Sequence, residues 1–350
     1  MESSSETPEM IDAAEKVQRL ERALSALVPH QESCRLCPRE CGVNRAAGER
    51  GFCGSSQVAA VSHALLHYGE EPALSGLGDV RGDGEKKDHS RAGSGAIFFT
   101  GCNLKCLFCQ NYQLSWLHQG EEVDDNRLAE LMLGLEAAGA WNINLVSPTH
   151  QLLPILRALR LAYRKGLSIP LVYNSNAYEK AEVLSLLDGI VDIYLPDLKY
   201  FDPEVSAKYS GAADYFRFAG PAIQEMFMQR PSLRLSEAGI AQEGLIVRHL
   251  VLPGRTKDSQ ALLRWLADEV NPAVALSLMS QYHPCFRAPS ELRRTLQPQE
   301  YREVLAEADR LGFETMFVQP ALFAPEDHLI PDFTRKEPFV WSRKLGTGEG

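Results

Sequence analysis

The chain is short of several features, and each shortage excludes a class of function. No run of about 18 apolar residues occurs, so no membrane span is expected. There is no basic tract. Lys and Arg number 36 against 46 Asp and Glu, a formal charge of −10, which makes nucleic acid a poor partner. The opening "MESSSETPEM" lacks the basic start and apolar stretch of a secretory leader, so a reducing, cytoplasmic location is expected. No internal repeat is found. Cysteine is scarce as well, with 8 in 350 residues, yet four fall between positions 34 and 53 and three between 102 and 109. Clustered cysteines in a reducing compartment read as metal ligands or redox groups before disulfides.

Residues 1–9 offer nothing to bury and read as a disordered tail. Over 10–28, Ile11, Val17, Leu20, Leu24, Leu27 and Val28 share one helical face, giving an amphipathic helix that ends at Pro29. A loop-built four-cysteine module follows. A mixed connection then runs to residue 95, and its charged, glycine-rich end "GDVRGDGEKKDHSRAGSG" reads as flexible. From residue 96 apolar runs at 96–100, 142–146, 170–174, 190–195, 245–252, 274–280 and 314–318 alternate with helical stretches. The helices fall at 125–138, 151–165, 178–187, 203–210, 257–269 and 298–311. That rhythm predicts parallel strands with right-handed crossovers, an α/β fold of the partial (β/α) barrel type over 96–320. Residues 10–95 form the N-terminal helix, metal module and connection, and 321–350 a C-terminal tail. A parallel barrel works at the C-terminal ends of its strands, and the first such end reads "FFTGCNLKCLFCQN".

Cys102, Cys106 and Cys109 in that stretch are spaced Cys-x3-Cys-x2-Cys. Thiolates ligate zinc, iron and iron–sulfur clusters, and three local cysteines on a cubane leave its fourth iron open to an outside ligand. The alternatives are a zinc ribbon that borrows a distant ligand, or three inert core thiols. The upstream Cys34, Cys37, Cys41 and Cys53 complete a closed site by themselves, zinc or an auxiliary iron–sulfur cluster. Arg35, Arg39, Arg45 and Arg50 are interleaved and would offset thiolate charge.

"GCNLKCLFCQN" resembles the cluster loop of the radical S-adenosylmethionine superfamily. "DIYLPDLKY" (192–200), "VRHLVLPG" (247–254) and "LMSQYHP" (278–284) resemble strands four to six of the enzymes that activate pyruvate formate-lyase. The N-terminal "CRLCPRECGVNR", with "NINLVSPTH" and "NSNAYE", is similar to the activating-enzyme-like subgroup. The resemblance covers about residues 33–320. It implies a partial (β/α)6 barrel and a 4Fe–4S cluster on Cys102, Cys106 and Cys109. It implies S-adenosylmethionine on the open iron, cleaved to a 5′-deoxyadenosyl radical that abstracts a substrate hydrogen. The implied target is the glycine of a glycyl-radical enzyme, and the implied partners are a protein or small-molecule substrate and an electron donor such as flavodoxin or ferredoxin. Radical modification of another molecule, or a non-catalytic iron–sulfur or zinc scaffold, stays open.

The resemblance also places Phe108 against adenine and gives His283 a catalytic contact. Where related enzymes carry Gly-Gly-Glu-Pro after the second strand, this chain has Ser147-Pro148-Thr149-His150, so Thr149 and His150 are the cofactor-binding candidates there. His150 also suits a helix cap. Asn174, Ser175 and Asn176 suit either ribose hydroxyls or capping of the next helix. Asp197 and Lys199 are cavity candidates against a surface pair. Arg248, charged within an apolar strand, needs an anion: the cofactor carboxylate in a catalytic role, or a structural Asp or Glu. Cys285 reads as a bland buried thiol or as a substrate-facing one.

Overall fold

The period-two runs after residue 93 assemble side by side into one open sheet. A computed structural model of the protein describes residues 12–76, 93–319 and 330–339. The expected tail at 1–9, the stretch 77–92 and most of 321–350 lie outside the described residues. The strands are β1 (Ala59–His67), β2 (Ser94–Phe99), β3 (Glu121–Val123), β4 (Ile143–Val146), β5 (Leu171–Ser175), β6 (Ile193–Pro196), β7 (Arg234–Leu235), β8 (Ala241–Leu250), β9 (Ala275–Met279) and β10 (Met316–Val318). The helices are α1 (Ala13–Leu27), α2 (Pro72–Ser75), α3 (Tyr112–Ser115), α4 (Asp125–Ala137), α5 (Leu152–Arg164), α6 (Ala181–Leu184), α7 (Pro203–Ser210), α8 (Tyr215–Gln229), α9 (Thr256–Glu269) and α10 (Pro298–Leu311). The order across the sheet is β10-β9-β8-β6-β5-β4-β2-β1-β3, with β7 on β8. From β2 to β10 along that path every pairing is parallel. β1 and β3 are antiparallel additions, and β3 and β10 are edges, so the partial barrel stays open.

Alternation along the strands sorts the side chains. Ile143, Leu145, Leu171, Tyr173, Leu245, Val247, Leu276 and Leu278 join the large core under the helices. Val172, Ile193, Leu195, Ile246 and Ala275 face inward and pack on Ala73 and Leu74 of α2 as a separate apolar cluster. The connection before β2 is therefore more than a spacer. β1 crosses the expected boundary at residue 95 to pair with β2, and the turn after β1 pushes α2 into the barrel as a plug. Asn142 Nδ2 holds the plug at Leu74 O, 2.9 Å away. Gly76 closes it in the left-handed region, where a Cβ would stand 2.5 Å from Trp141 Nε1.

Several helices differ from expectation: the helix expected at 178–187 is α6 followed by a 3-10 turn (Ser185–Leu187), and α2 and α3 are short additions. α1 is capped by Asp12, which accepts from Glu15 N at 2.8 Å, and the chain continues past Leu27 as a 3-10 turn through Pro29. Proline is tolerated there because a first-turn N–H has no helical partner. Buried Lys16 ties α1 to Asp192 at 2.5 Å, and Asp192 also accepts from Leu171 N. α8 was not among the expected helices, and it contains Gly220-Pro221, a local breaker. Burial of Ala219, Ala222, Ile223 and Met226 along one face carries the helix through the proline.

Leu74 is fully buried against strand side chains, so Leu74→Ala is expected to cost about 2–5 kcal/mol in urea unfolding. A loss below about 1 kcal/mol would show that the plug is not packed.

Candidate functional site

Above the plug, the inner face of the sheet encloses a cavity of about 1230 Å³. Its upper wall is the loop after β2. Gly101 (φ +81) starts the loop with its Cα packed on the backbone of Cys53, where a Cβ would stand 2.4 Å from the carbonyl oxygen. The loop has no regular structure of its own and is pinned from outside. Lys105 N and Leu107 N donate to Ser210 O and Tyr209 O, Arg287 N donates to Leu107 O, and Trp116 Nε1 donates to Cys106 O at 3.1 Å.

Cys102, Cys106 and Cys109 all face the cavity. Each sulfur receives a hydrogen-bond donor. Leu104 N (3.3 Å) and Asn176 Nδ2 (3.4 Å) serve Cys102, Ser210 Oγ (3.0 Å) serves Cys106, and Ser115 Oγ (3.2 Å) serves Cys109. Burial, reinforced by Cys106, pushes the thiols up, Cys102 to about 11 and Cys109 to about 12; the donors and the Lys199 ammonium act in the opposite sense. Such donors do little for a thiol and much for a thiolate, so the set fits thiolate ligation to an iron–sulfur cluster. Among the described residues no group of three or more His, Cys, Asp or Glu stands closely enough to hold a single metal ion. Neither the triplet nor the upstream quartet is a preformed mononuclear site.

Most of the expected residues converge here. Phe108 lies in the wall with its ring edge-on to Tyr282 at 5.6 Å. Asn174, Ser175 and Asn176 at the end of β5 line the cavity, as does His283. Asn176 also caps locally, accepting from Tyr178 N at 2.9 Å. Asp197 and Lys199 pair at 2.7 Å in the cavity rather than on the surface. Burial alone would depress Lys199, but Asp197 and the Cys106 sulfur override it and keep it charged.

Thr149 and His150 are corrections. The chain leaves β4 through Ser147 in the left-handed region (φ +58), and residues 149–151 wind into a 3-10 turn behind the wall. Ser147 lines the cavity in their place. His150 is buried, bonds Thr100 O at 2.7 Å, and burial lowers it to about 4, so it is neutral at pH 7. Thr149 donates to Glu179. Cys285 also lies off the cavity: its thiol donates to Phe108 O at 3.2 Å, the bland alternative.

Arg248 does line the cavity, but its guanidinium is engaged. Nε and Nη2 grip Glu71 at 2.7 and 2.5 Å, and Nη2 also bonds Glu70. Glu70 and Glu71, delivered by the turn before the plug, were not anticipated from the sequence. Burial pushes Glu70 up, yet Arg248 and His67 override it and hold the carboxyl well below the usual carboxylate range.

The four-cysteine module packs behind the loop. Cys34, Cys37 and Cys53 are buried and Cys41 half-buried, and none lines the cavity. Two of its arginines act as braces, and one of them also meets a thiol sulfur. Arg45 reaches His150 O (2.6 Å) and Cys53 Sγ (3.5 Å), and Arg39 lies over the rings of Phe52 and Tyr178 while donating to Asn103 O.

Residues 96–266 match the family model described as the Radical SAM superfamily. That segment is similar to the Radical SAM superfamily. The Radical SAM family implies a 4Fe–4S cluster and S-adenosylmethionine, which agrees with the donor set around the triplet. The chain is 28% identical over 298 residues to the uncharacterized protein MJ0674 of Methanocaldococcus jannaschii, covering 82% of this chain and 77% of that protein. With the uncharacterized protein MJ0808 of the same organism it shares 24% over 266 residues, 73% of this chain and 71% of that one. Two solved structures, native and hexahistidine-tagged anSMEcpe with bound AdoMet, align at TM-scores of 0.41 and 0.39 with 12% and 13% identity. They cover 62% and 63% of this chain and 61% and 60% of their own, less than two thirds. Among the described residues no helix is long and apolar enough to cross a membrane.

Glu179, behind the cavity, is fully buried. Burial raises its carboxyl from 4.5 to about 8 against the hydrogen bonds from Thr149, Ser175 and Tyr173. Between those values the folded chain keeps a proton that the unfolded chain has lost, so stability falls as pH rises through the window. Glu179→Gln should remove a slope of up to ~1.4 kcal/mol per pH unit, read from denaturant unfolding at a series of pH values. An unchanged slope would refute the assignment.

Proposed function

We propose that the chain is a radical S-adenosylmethionine enzyme in which Cys102, Cys106 and Cys109 hold a 4Fe–4S cluster facing the cavity. The observation that carries this is the donor set: three sulfurs on one cavity wall, each with its own N–H or O–H donor, and the Lys199 ammonium acting on them. When bound, the cluster and S-adenosylmethionine supply a 5′-deoxyadenosyl radical that removes a hydrogen atom from the substrate. The chain's own residues position and enclose. Phe108 presents an apolar ring for a base, and Asn174 and Ser175 offer short polar groups at the end of β5. Asn176 steadies Cys102, and His283 faces the substrate space. Phe98, Leu114, Met279 and Phe339 line the cavity with apolar surface that excludes water from a reactive radical.

A glycine α-carbon of a glycyl-radical enzyme, as for an activase, is supported by the sequence resemblance alone. So is reduction by an outside donor such as flavodoxin or ferredoxin. The quartet is proposed as a second metal module on its residue content: four cysteines, three of them buried, in one loop-built unit. Its sulfurs have to draw together on loading.

Anaerobic reconstitution with iron and sulfide, reduction, and addition of S-adenosylmethionine should yield 5′-deoxyadenosine. A Cys102/Cys106/Cys109→Ala variant should lose about four irons per chain and all cleavage. An intact cluster without cleavage overturns the enzyme reading. Metal retained by that variant supports the quartet as a second site, and a metal-free variant removes it.

A further inference from the structure

Three sulfurs on the upper wall receive side-chain donors, and the three donors are not equivalent. Ser115 Oγ has one hydrogen for two acceptors, Cys109 Sγ and Asn111 O, each 3.2 Å away. Ser210 Oγ is shared between Cys106 Sγ at 3.0 Å and Tyr200 Oη at 2.7 Å. Asn176 has two amide hydrogens and an acceptor for each, Asn103 Oδ1 at 2.8 Å and Cys102 Sγ at 3.4 Å. We propose that Asn176 is a positioning residue that sets the reduction potential of a cluster held on Cys102, Cys106 and Cys109, by keeping an N–H donor fixed on the Cys102 sulfur. The inference rests on the triplet holding that cluster and adds the residue that poises it.

The orientation of that amide is fixed by its surroundings. Its Oδ1 accepts from Tyr178 N at 2.9 Å, which only an oxygen can do, and this turns Nδ2 toward Cys102. The Asn103 side chain is fixed as well, since its Nδ2 donates to Tyr178 O at 2.7 Å and leaves Oδ1 for Asn176. Asn103 and Asn176 are 1% and 7% exposed, so water competes little for these bonds. Backbone strain is a second, independent observation. Ala177, fully buried, takes φ +60, the left-handed region where a Cβ is disfavoured. Ala177 N donates to Ser175 Oγ at 3.1 Å, and Tyr215 Oη lies 2.9 Å from Asn176 O. Strain of this kind persists where the surroundings over-determine a conformation. Here that conformation is the one that aims Asn176 at the sulfur.

An N–H···S bond withdraws charge from a thiolate. It favours the reduced cluster, which carries one more electron, over the oxidised one, and so raises the potential. The low dielectric of a buried site strengthens the effect. A turn cap by itself needs only an acceptor for Tyr178 N, which serine or aspartate also supplies. Neither brings an amide N–H. The donor to Cys102 is what asparagine adds at this position.

The test is a dithionite titration of the reconstituted full chain, followed by EPR without S-adenosylmethionine, on wild type, Asn176→Ser and Asn176→Asp. Serine keeps a cap oxygen and loses the sulfur donor. Aspartate keeps the cap and puts a carboxylate oxygen where the donor was. At a fixed applied potential the reduced-to-oxidised ratio is expected to fall about threefold or more in Asn176→Ser, which is about 28 mV at about 59 mV per tenfold for one electron. It should fall further in Asn176→Asp. Equal potentials in all three proteins overturn the proposal, because a purely structural cap predicts that outcome. Pulsed EPR of wild type, with asparagine isotopically labelled at the side-chain nitrogen, needs no variant. A nitrogen coupling to the reduced cluster is expected, and its absence overturns the proposal even where the variants fail to fold. Iron uptake and 5′-deoxyadenosine are scored separately. A wild-type chain that takes up no cluster removes the enzyme reading and this inference together, whereas an intact cluster with an unmoved potential removes the Asn176 assignment alone.

Discussion

A guanidinium on the inner face of a barrel strand cannot stand alone, and much of this structure follows from supplying its anions. Arg248 sits where period-two alternation sends it, inward from β8, at the level of Asp197 and Ser277. Leaving it unpaired would cost several kcal/mol. Its partners come from far away in sequence, on a turn that exists because β1 runs antiparallel to β2 and returns through the barrel. One short segment does both tasks: Ala73 and Leu74 close the barrel with apolar contact, and Glu70 and Glu71, just before them, neutralise the arginine. Plug, antiparallel strand and floor are one construction.

The upper wall answers a different constraint. A loop that presents three sulfurs to a cavity has no ladder of its own, so its backbone groups must be satisfied by neighbours. The four-cysteine module supplies part of that support from behind. The Cys53 backbone packs on Gly101, Arg39 holds Asn103 O, and Arg45 spans Cys53 and His150. The interleaved arginines were expected as counter-charge to thiolates. Planar guanidinium groups that reach several carbonyls and stack on Phe52 and Tyr178 also act as braces.

How much of this was legible in the sequence depends on whether the signal was local. Strand and helix positions after residue 96 followed from periodicity, and the triplet from spacing, because both are set by neighbours along the chain. Asn174, Asn176, Asp197 and Lys199 line the cavity because a strand's C-terminal end in a parallel barrel faces it whatever the strand. Thr149 and His150 failed by that same rule. The turn at Ser147 takes a left-handed conformation and rotates the next residues out of the wall, and nothing in "NLVSPTH" encodes that rotation. α8 was not among the expected helices, and tertiary burial carries it through Gly220-Pro221, a local breaker. Glu70 and Glu71 were the largest omission. Adjacent acids before a proline read as a solvated turn, and only the topology brings them to Arg248.

The two ends of the cavity are linked through the backbone. Leu198 N donates to Arg248 O at 2.8 Å, so β6, which carries Asp197 and Lys199 toward the sulfurs, is registered directly on β8, which carries Arg248 toward the floor. Side-chain rotamers can shift a charged tip, but they cannot change the separation of two hydrogen-bonded strands.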